Sequence, residues 1–253
     1  MQSVECIYIL NLKEQPTRLQ QCMLLLAEER LDVPIKIFTA THWQSAEFSE
    51  MIENGVVVPS KEWMEHDGTV LKLGQAACCY SHIKLLEDVA KNEYKTILLL
   101  QDDVYWEHPG ELEHELEKYA ELIQRYNDFD LYYVGRSIVE PTAEDSFHDT
   151  KFKRPSYSWN AHALILSLTC CQKLIAADVL SNVIPFDEFL PLCYGQSGCV
   201  RADMLSSRFP KIISAVSSDE HETIYQCTHA SSRFRDMVMP YSLSDIDNSE
   251  LCD

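Results

Sequence analysis

Two adjacent aspartates, Asp102 and Asp103, follow directly on an apolar run in "YKTILLLQDDVYW", residues 94 to 106. Carboxylate oxygens are hard ligands that suit Mg or Mn. An acidic segment just after a strand can therefore hold a divalent cation. Turns favour Asp on their own account, so the pair reads equally well as a strand ending. In an extended chain residues i and i+2 share a face, which pairs Asp103 with Gln101 and sends Asp102 elsewhere unless the backbone turns. A second acidic pair, Asp187 and Glu188, stands in the apolar, proline-bracketed "IPFDEFLP", residues 184 to 191. Burial there would raise a carboxylate toward the range of a general base. The same pair also fits a helix N-terminus, where acidic side chains are stabilised by the dipole. His229, in "TIYQCTHASSRFRD", is a further candidate ligand because imidazole suits Mn, although a lone His is more often a surface or core residue.

Other catalytic schemes have no support in the sequence. It contains no G-x-S-x-G nucleophile elbow, no G-x-x-x-x-G-K-[ST] phosphate loop and no H-E-x-x-H zinc motif. Forty acidic against 21 basic side chains give a formal charge of -19. Such a chain repels nucleic acid and anionic lipid, so no nucleic-acid partner is expected. A nucleotide diphosphate would be repelled too, unless a divalent cation, an Arg or Lys, or a helix N-terminus supplies local positive charge. Ten cysteines occur without any C-x-x-C, and the neighbouring pairs Cys78-Cys79 and Cys170-Cys171 fall in apolar helical runs, which reads as buried free thiols. The N-terminal apolar run is too short for a signal peptide or a membrane span. As written, the chain reads as soluble and cytoplasmic, unless it is cut from a longer protein of the ER lumen.

The elements that must position these groups follow from periodicity. "VECIYIL" (4–10) reads as a strand, residues 17–30 as a helix, and "PIKIFTA" (34–40) as a second strand. Residues 41–72 lack a strong period and read as irregular or lid-like, with Trp43, Trp63 and Gly68. A helix over 74–92 feeds the strand "KTILLL". After the aspartates comes a surface helix with a stripe of Leu112, Leu116, Tyr119 and Ile123. "FDLYYVG" and "AHALILS" are further strands, with Ser167 or Thr169 placed to cap the helix "LTCCQKLIAADVL". Alternating strands and helices predict a single α/β domain over 1–253. Ligands of open α/β sheets bind outside the carboxyl ends of strands. Asn11, Asp102 with Asp103, Gly135 with Arg136, and Ser167 all fall at such ends.

The blocks "YILNLKEQPTRL", "LGQAACCYSHIKLLEDV", "TILLLQDDVYW", "FDLYYVGR", "AHALILSLTCCQKLI" and "IPFDEFLPLCY" resemble, in order and spacing, those of glycosyltransferase family 25, in particular its procollagen galactosyltransferase branch. The resemblance spans about residues 4 to 230. It implies a GT-A-like fold with a central, mostly parallel sheet flanked by helices. A donor-binding part would occupy about 1–136 and an acceptor side about 137–253. It also implies a UDP-sugar donor, Mn at the acidic segment, and inverting transfer of a hexose, galactose favoured, to a collagen-like peptide or glycan hydroxyl. A homodimer is plausible on the same ground. Asn11, Arg18, Ser81, His82 and Arg136 fall on the donor side, Asp102, Asp103 and His229 on the metal, and Asp187 or Glu188 on the general base. The chain departs from the family pattern at Glu14, Gln15, Gln75, Thr41-His42 and Gln101, each a change that removes a family charge. A catalytically weakened relative acting as a binding or assembly module is the alternative.

Overall fold

The computed structural model describes residues 3–64, 68–126, 130–139, 144–147, 149–196, 211–217 and 224–226. Its first strand, β1 (Cys6–Leu12), is buried along its whole length, as expected of a strand covered on both faces. Because strand side chains alternate, Cys6, Tyr8, Leu10 and Leu12 enter one core while Ile7 and Ile9 enter another. The first core lies under α2 (Ala46–Glu53), α3 (Leu73–Asn92), α5 (Leu168–Ala176) and α6 (Phe186–Cys193). The second lies under α1 (Pro16–Glu28) and α4 (Glu111–Arg125).

Among the described residues the main sheet has eight strands, with β1 flanked by β2 (Ile35–Ala40) and β3 (Thr96–Gln101). Beyond β3 come β8 (Ser158–Ser167), β5 (Leu131–Ile138), β9 (Ser214–Ser217), β7 (Asp149–Arg154) and β6 (Asp145–Phe147). A short ribbon pairs β4 (Val104–Tyr105) with β10 (Tyr225–Gln226). The α/β class is as expected, but the sheet is mixed where a mostly parallel one was predicted. Three pairings are parallel and four antiparallel. The reason lies in the connections. Helical crossovers return β1, β2 and β3 in the same direction, whereas the chain from β5 reaches β8 through strands β6 and β7 and comes back reversed.

That reversal corrects one placement. Ser167 ends β8, but β8 runs against β3 and pairs Ser167 with Thr96, at the end of the sheet opposite the aspartates. Ser167 instead caps α5, accepting a hydrogen bond from the Cys170 N–H at 3.0 Å. The segment 41–72 also holds more structure than expected. Ser45 caps α2 through the Phe48 N–H, and Trp63 is a buried core residue and not part of a lid. In α4 the expected stripe holds at Leu112, Leu116 and Tyr119, but Leu122 is buried while Ile123 is exposed. The cysteines Cys6, Cys22, Cys79, Cys170, Cys171 and Cys193 are buried free thiols, and Cys78 is a half-buried one.

Gly135 is required by close approach. A Cβ there would lie 2.5 Å from His162 Nε2 and 2.5 Å from the Ile224 carbonyl oxygen. The imidazole could shift, but the Ile224 oxygen belongs to the backbone. Gly135→Ala is therefore expected to destabilise the protein by about 1–3 kcal/mol, the usual cost of overpacking. A urea titration with an unchanged midpoint would contradict this.

Candidate active site at the carboxyl edge of the sheet

The parity of β3 divides its end between the two faces of the sheet. Leu98 and Leu100 face α1 and α4, so Asp102 falls on that side; Ile97 and Leu99 face the α3 layer, and Gln101 follows them. A turn after Gln101 then brings Asp103 round to the side of Asp102. The expected pairing of Asp103 with Gln101 does not form, because the chain is no longer extended there. On β1, Asn11 shares the side of Ile7 and Ile9, and its amide Nδ2 donates to Asp102 Oδ2 at 2.6 Å and to the Gln15 carbonyl at 3.0 Å. Arg18, one turn into α1, places Nη2 2.8 Å from Asp102 Oδ1 and 2.8 Å from Asp103 Oδ2.

The result is a buried cluster of two carboxylates around one guanidinium, tied to Asn11. Burial raises Asp102 to about 6; the Arg18 charge pulls against this and the neighbouring Asp103 charge adds to it. With both carboxylates ionised the cluster carries one more negative charge than Arg18 neutralises. This donor set fits Mn or Mg, which commonly take one or two carboxylates and complete their coordination with substrate phosphates and water. Arg18 and Asn11 then act as partners that hold the carboxylates in place. Arg18 thus stands on the aspartates, between them and α1. His229 lies outside the described residues, and among those described no third His, Cys, Asp or Glu joins the cluster.

On the opposite face, a recess opens between α3, α6 and the start of β8, lined by Gln75, His82, Gln101, Asn160, Phe186 and Asp187 among others. Asp187 sits in the first turn of α6, so the dipole reading and the placement at a cavity hold together. The Asn160 backbone N–H donates to Asp187 Oδ2 at 3.2 Å. Asn160 can do this because its φ of 66° turns the N–H out of the strand. Asn tolerates that left-handed conformation better than most side chains, and its own amide donates to Ser137 Oγ at 2.8 Å. Glu188 is not among the residues that line the recess, and it accepts a hydrogen bond from the Tyr157 hydroxyl.

His82 is fully buried and stacks on Phe186, with ring centroids 4.1 Å apart. Its Nδ1 lies 2.8 Å from the Cys78 carbonyl oxygen, which can only accept, so Nδ1 carries the proton. Nε2 is then an acceptor, 3.4 Å from the Gln101 amide nitrogen. Burial pushes His82 down to about 4, partly offset by the Cys78 hydrogen bond. The unfolded chain, with His near 6.5, binds more protons between these values. The contribution of a neutral His82 is complete above about pH 6.5 and is lost as pH falls toward 4, a loss on the order of 3 kcal/mol. His82→Gln is expected to flatten this part of the stability profile; urea midpoints with the same pH dependence in both proteins would contradict it.

The remaining expected residues have internal partners. Ser81 Oγ accepts from the Thr41 N–H and donates to the Ala77 carbonyl, each at 2.8 Å, locking the end of β2 to α3. Arg136 is buried against Glu144, Ser158 Oγ and the Tyr133 ring. Two residues escaped sequence reading. Asn160 carries no motif, and only its backbone angle marks it. His162 is buried behind the aspartates, with Nε2 donating to the Ile224 carbonyl at 3.1 Å; burial lowers its pKa, opposed by that hydrogen bond and by the Asp103 charge. A lone His in an apolar strand signals neither role in advance.

The family model described as glycosyltransferase family 25 (LPS biosynthesis protein) matches residues 4–190. Procollagen galactosyltransferase 2 of Mus musculus is 26% identical over 193 residues, covering 75% of this chain and 30% of its own length. Inactive glycosyltransferase 25 family member 3 of Homo sapiens is 26% identical over 192 residues, covering 75% of this chain and 32% of its own. The procollagen lysyl hydroxylase and glycosyltransferase of Acanthamoeba polyphaga mimivirus is 27% identical over 201 residues, 74% of this chain and 21% of its own. The matches thus span about a third or less of these relatives. The solved galactosyltransferase LgtC, in complex with donor and acceptor sugar analogues, overlays at a TM-score of 0.40 with 12% identity, covering 94% of this chain and 98% of its own.

Proposed function

Since the chain belongs to glycosyltransferase family 25, we propose that it moves a hexose, galactose favoured, from a UDP-sugar to a hydroxyl of a collagen-like peptide or glycan. The observation that carries this reading is the end of β3, which puts a buried acidic pair on one face of the sheet and, on the other, a recess in which Asp187 is the one charged lining residue among those described. Asp187 takes the proton of the acceptor hydroxyl as that oxygen bonds to the anomeric carbon. The bond from that carbon to the UDP oxygen breaks on the opposite face, its electron pair leaving with UDP, so configuration inverts. The Asn160 N–H fixes the Asp187 carboxylate, and neutral His82 keeps the recess free of positive charge. Asp102 and Asp103 would hold Mn, for which His229, outside the described residues, is the further candidate ligand, and the bound ion would supply positive charge against the diphosphate.

The second reading, a non-catalytic binding or assembly module, draws on the relatives named inactive. The family charge missing at Gln101 would favour it if that position supplied a metal ligand. That side chain lies on the other face from the aspartates, so Gln in place of Glu removes no ligand from the cluster. The test is incubation with UDP-galactose or UDP-glucose, Mn and a hydroxylysine-containing collagen-like peptide, read by mass spectrometry. A hexose added to the peptide is the expected result; UDP-sugar left intact with both donors would support the module.

A further inference from the structure

Gln101 and Asp102 are consecutive, yet they face opposite sides of the sheet, and their surroundings differ in kind. The aspartate side is charged. The recess is lined by Gln75, whose amide oxygen accepts from the Lys72 N–H, by Asn160, whose amide donates to Ser137, and by Gln101, a neutral His82 and a single carboxylate, Asp187. Among the described residues no Lys or Arg lines it, so nothing in it answers a phosphate. Carboxamides both donate and accept, as hydroxyl groups do. The Gln101 amide is oriented by its hydrogen bond to His82 Nε2. Among the described residues the one side-chain hydrogen bond of Gln101 is made by its nitrogen, which leaves the carbonyl oxygen for a ligand. The stacked rings of His82 and Phe186 make the adjoining wall.

We propose that this recess binds an uncharged, hydroxyl-bearing ring, a hexopyranose, independently of the nucleotide, and that Gln101 is its specificity-determining side chain. This rests on the donor reading above and extends it. The ring of the substrate lies on the Gln101 face and its diphosphate on the Asp102 face, with the end of β3 as the saddle between them. The amide is then a fitted feature of this chain and not a lost acid. A Glu at 101 would be an acceptor only, would require a proton on buried His82, and would set a second carboxylate beside Asp187.

The test is saturation-transfer NMR on the intact chain with methyl galactopyranoside, methyl glucopyranoside and, separately, UDP with Mn. Wild type is expected to saturate the ring protons of at least one hexoside. Gln101→Leu should weaken that binding by about 3- to 10-fold, the loss of a neutral hydrogen bond, while UDP binding stays unchanged. Gln101→Glu, close in shape, should weaken it as well, with urea midpoints showing that both variants remain folded. No hexoside signal from wild type would overturn the proposal, as would a signal that both variants retain in full or that Gln101→Glu strengthens. A hexoside signal lost in the variants alongside no UDP binding in wild type would uphold the recess and remove the donor reading instead.

Discussion

Asp187→Asn is expected to cut hexose transfer by about 100- to 10,000-fold, the usual contribution of a positioned general base, while leaving UDP affinity and folding unchanged. The amide keeps the size of the carboxylate and can still accept the Asn160 N–H through its oxygen, so the geometry of the first turn of α6 should survive. What is lost is the ability to take the proton. The loss should therefore fall on kcat, because an interaction made only in the transition state has been removed. Glu188→Gln is the matched control. Glu188 is held by Tyr157 and does not line the recess, so its replacement should cost far less. Transfer by Asp187→Asn near the wild-type rate, in a protein with an unchanged urea midpoint, would remove Asp187 from the mechanism.

Arg18→Met should lower stability by about 3–5 kcal/mol, the cost of removing one partner from a buried ion cluster. Met fills much of the volume of the Arg stem, so packing under α1 is largely kept. The two carboxylates, 2% and 8% exposed, would remain beside each other without the guanidinium that bridges them. Asp102, already raised by burial, would lose the Arg18 charge that holds it down and rise further above its unfolded value, which sets the sign of the pH dependence. The deficit should be greatest above neutral pH, where Asp102 must ionise, and should shrink as pH falls and it takes up a proton. Asp102→Asn in the same background should restore part of the loss, since one of the two charges is then gone. Urea midpoints for the single and double variants at two pH values measure all of this. A small, pH-independent loss would mean that Arg18 is not the counter-charge of the pair.

How much of this was legible in the sequence depended on which physical signal each feature leaves. Long apolar strands and striped helices write their period directly, and β1, α1, β2, α3, β3, α4 and β8 were all foreseen. Strand direction writes nothing locally. The reversal of β8 comes from the route through β6 and β7, which is why Ser167 was placed at the wrong end. Helix α2 was missed because two turns are too short to show a stripe, although Ser45 ahead of it was a readable cap. The acidic pair was found from its place after an apolar run, yet its partner was misjudged. Alternation predicts Gln101 beside Asp103 only while the chain stays extended, and here it turns. Arg18 came from the family resemblance, with no local cue that it would stand on the aspartates. Asn160 was invisible because its role is carried by a backbone angle.

Calorimetric titration of UDP into the protein, with and without Mn and repeated on Asp103→Asn, tests the central claim most directly. The acidic cluster has surplus negative charge, and the proposed function sets it against the donor diphosphate. The account therefore predicts binding that requires Mn and that Asp103→Asn weakens by at least about 10-fold, since even partners of metal ligands contribute that much. UDP binding that ignores both the metal and the substitution, or no binding under any condition, would contradict a donor site at the end of β3.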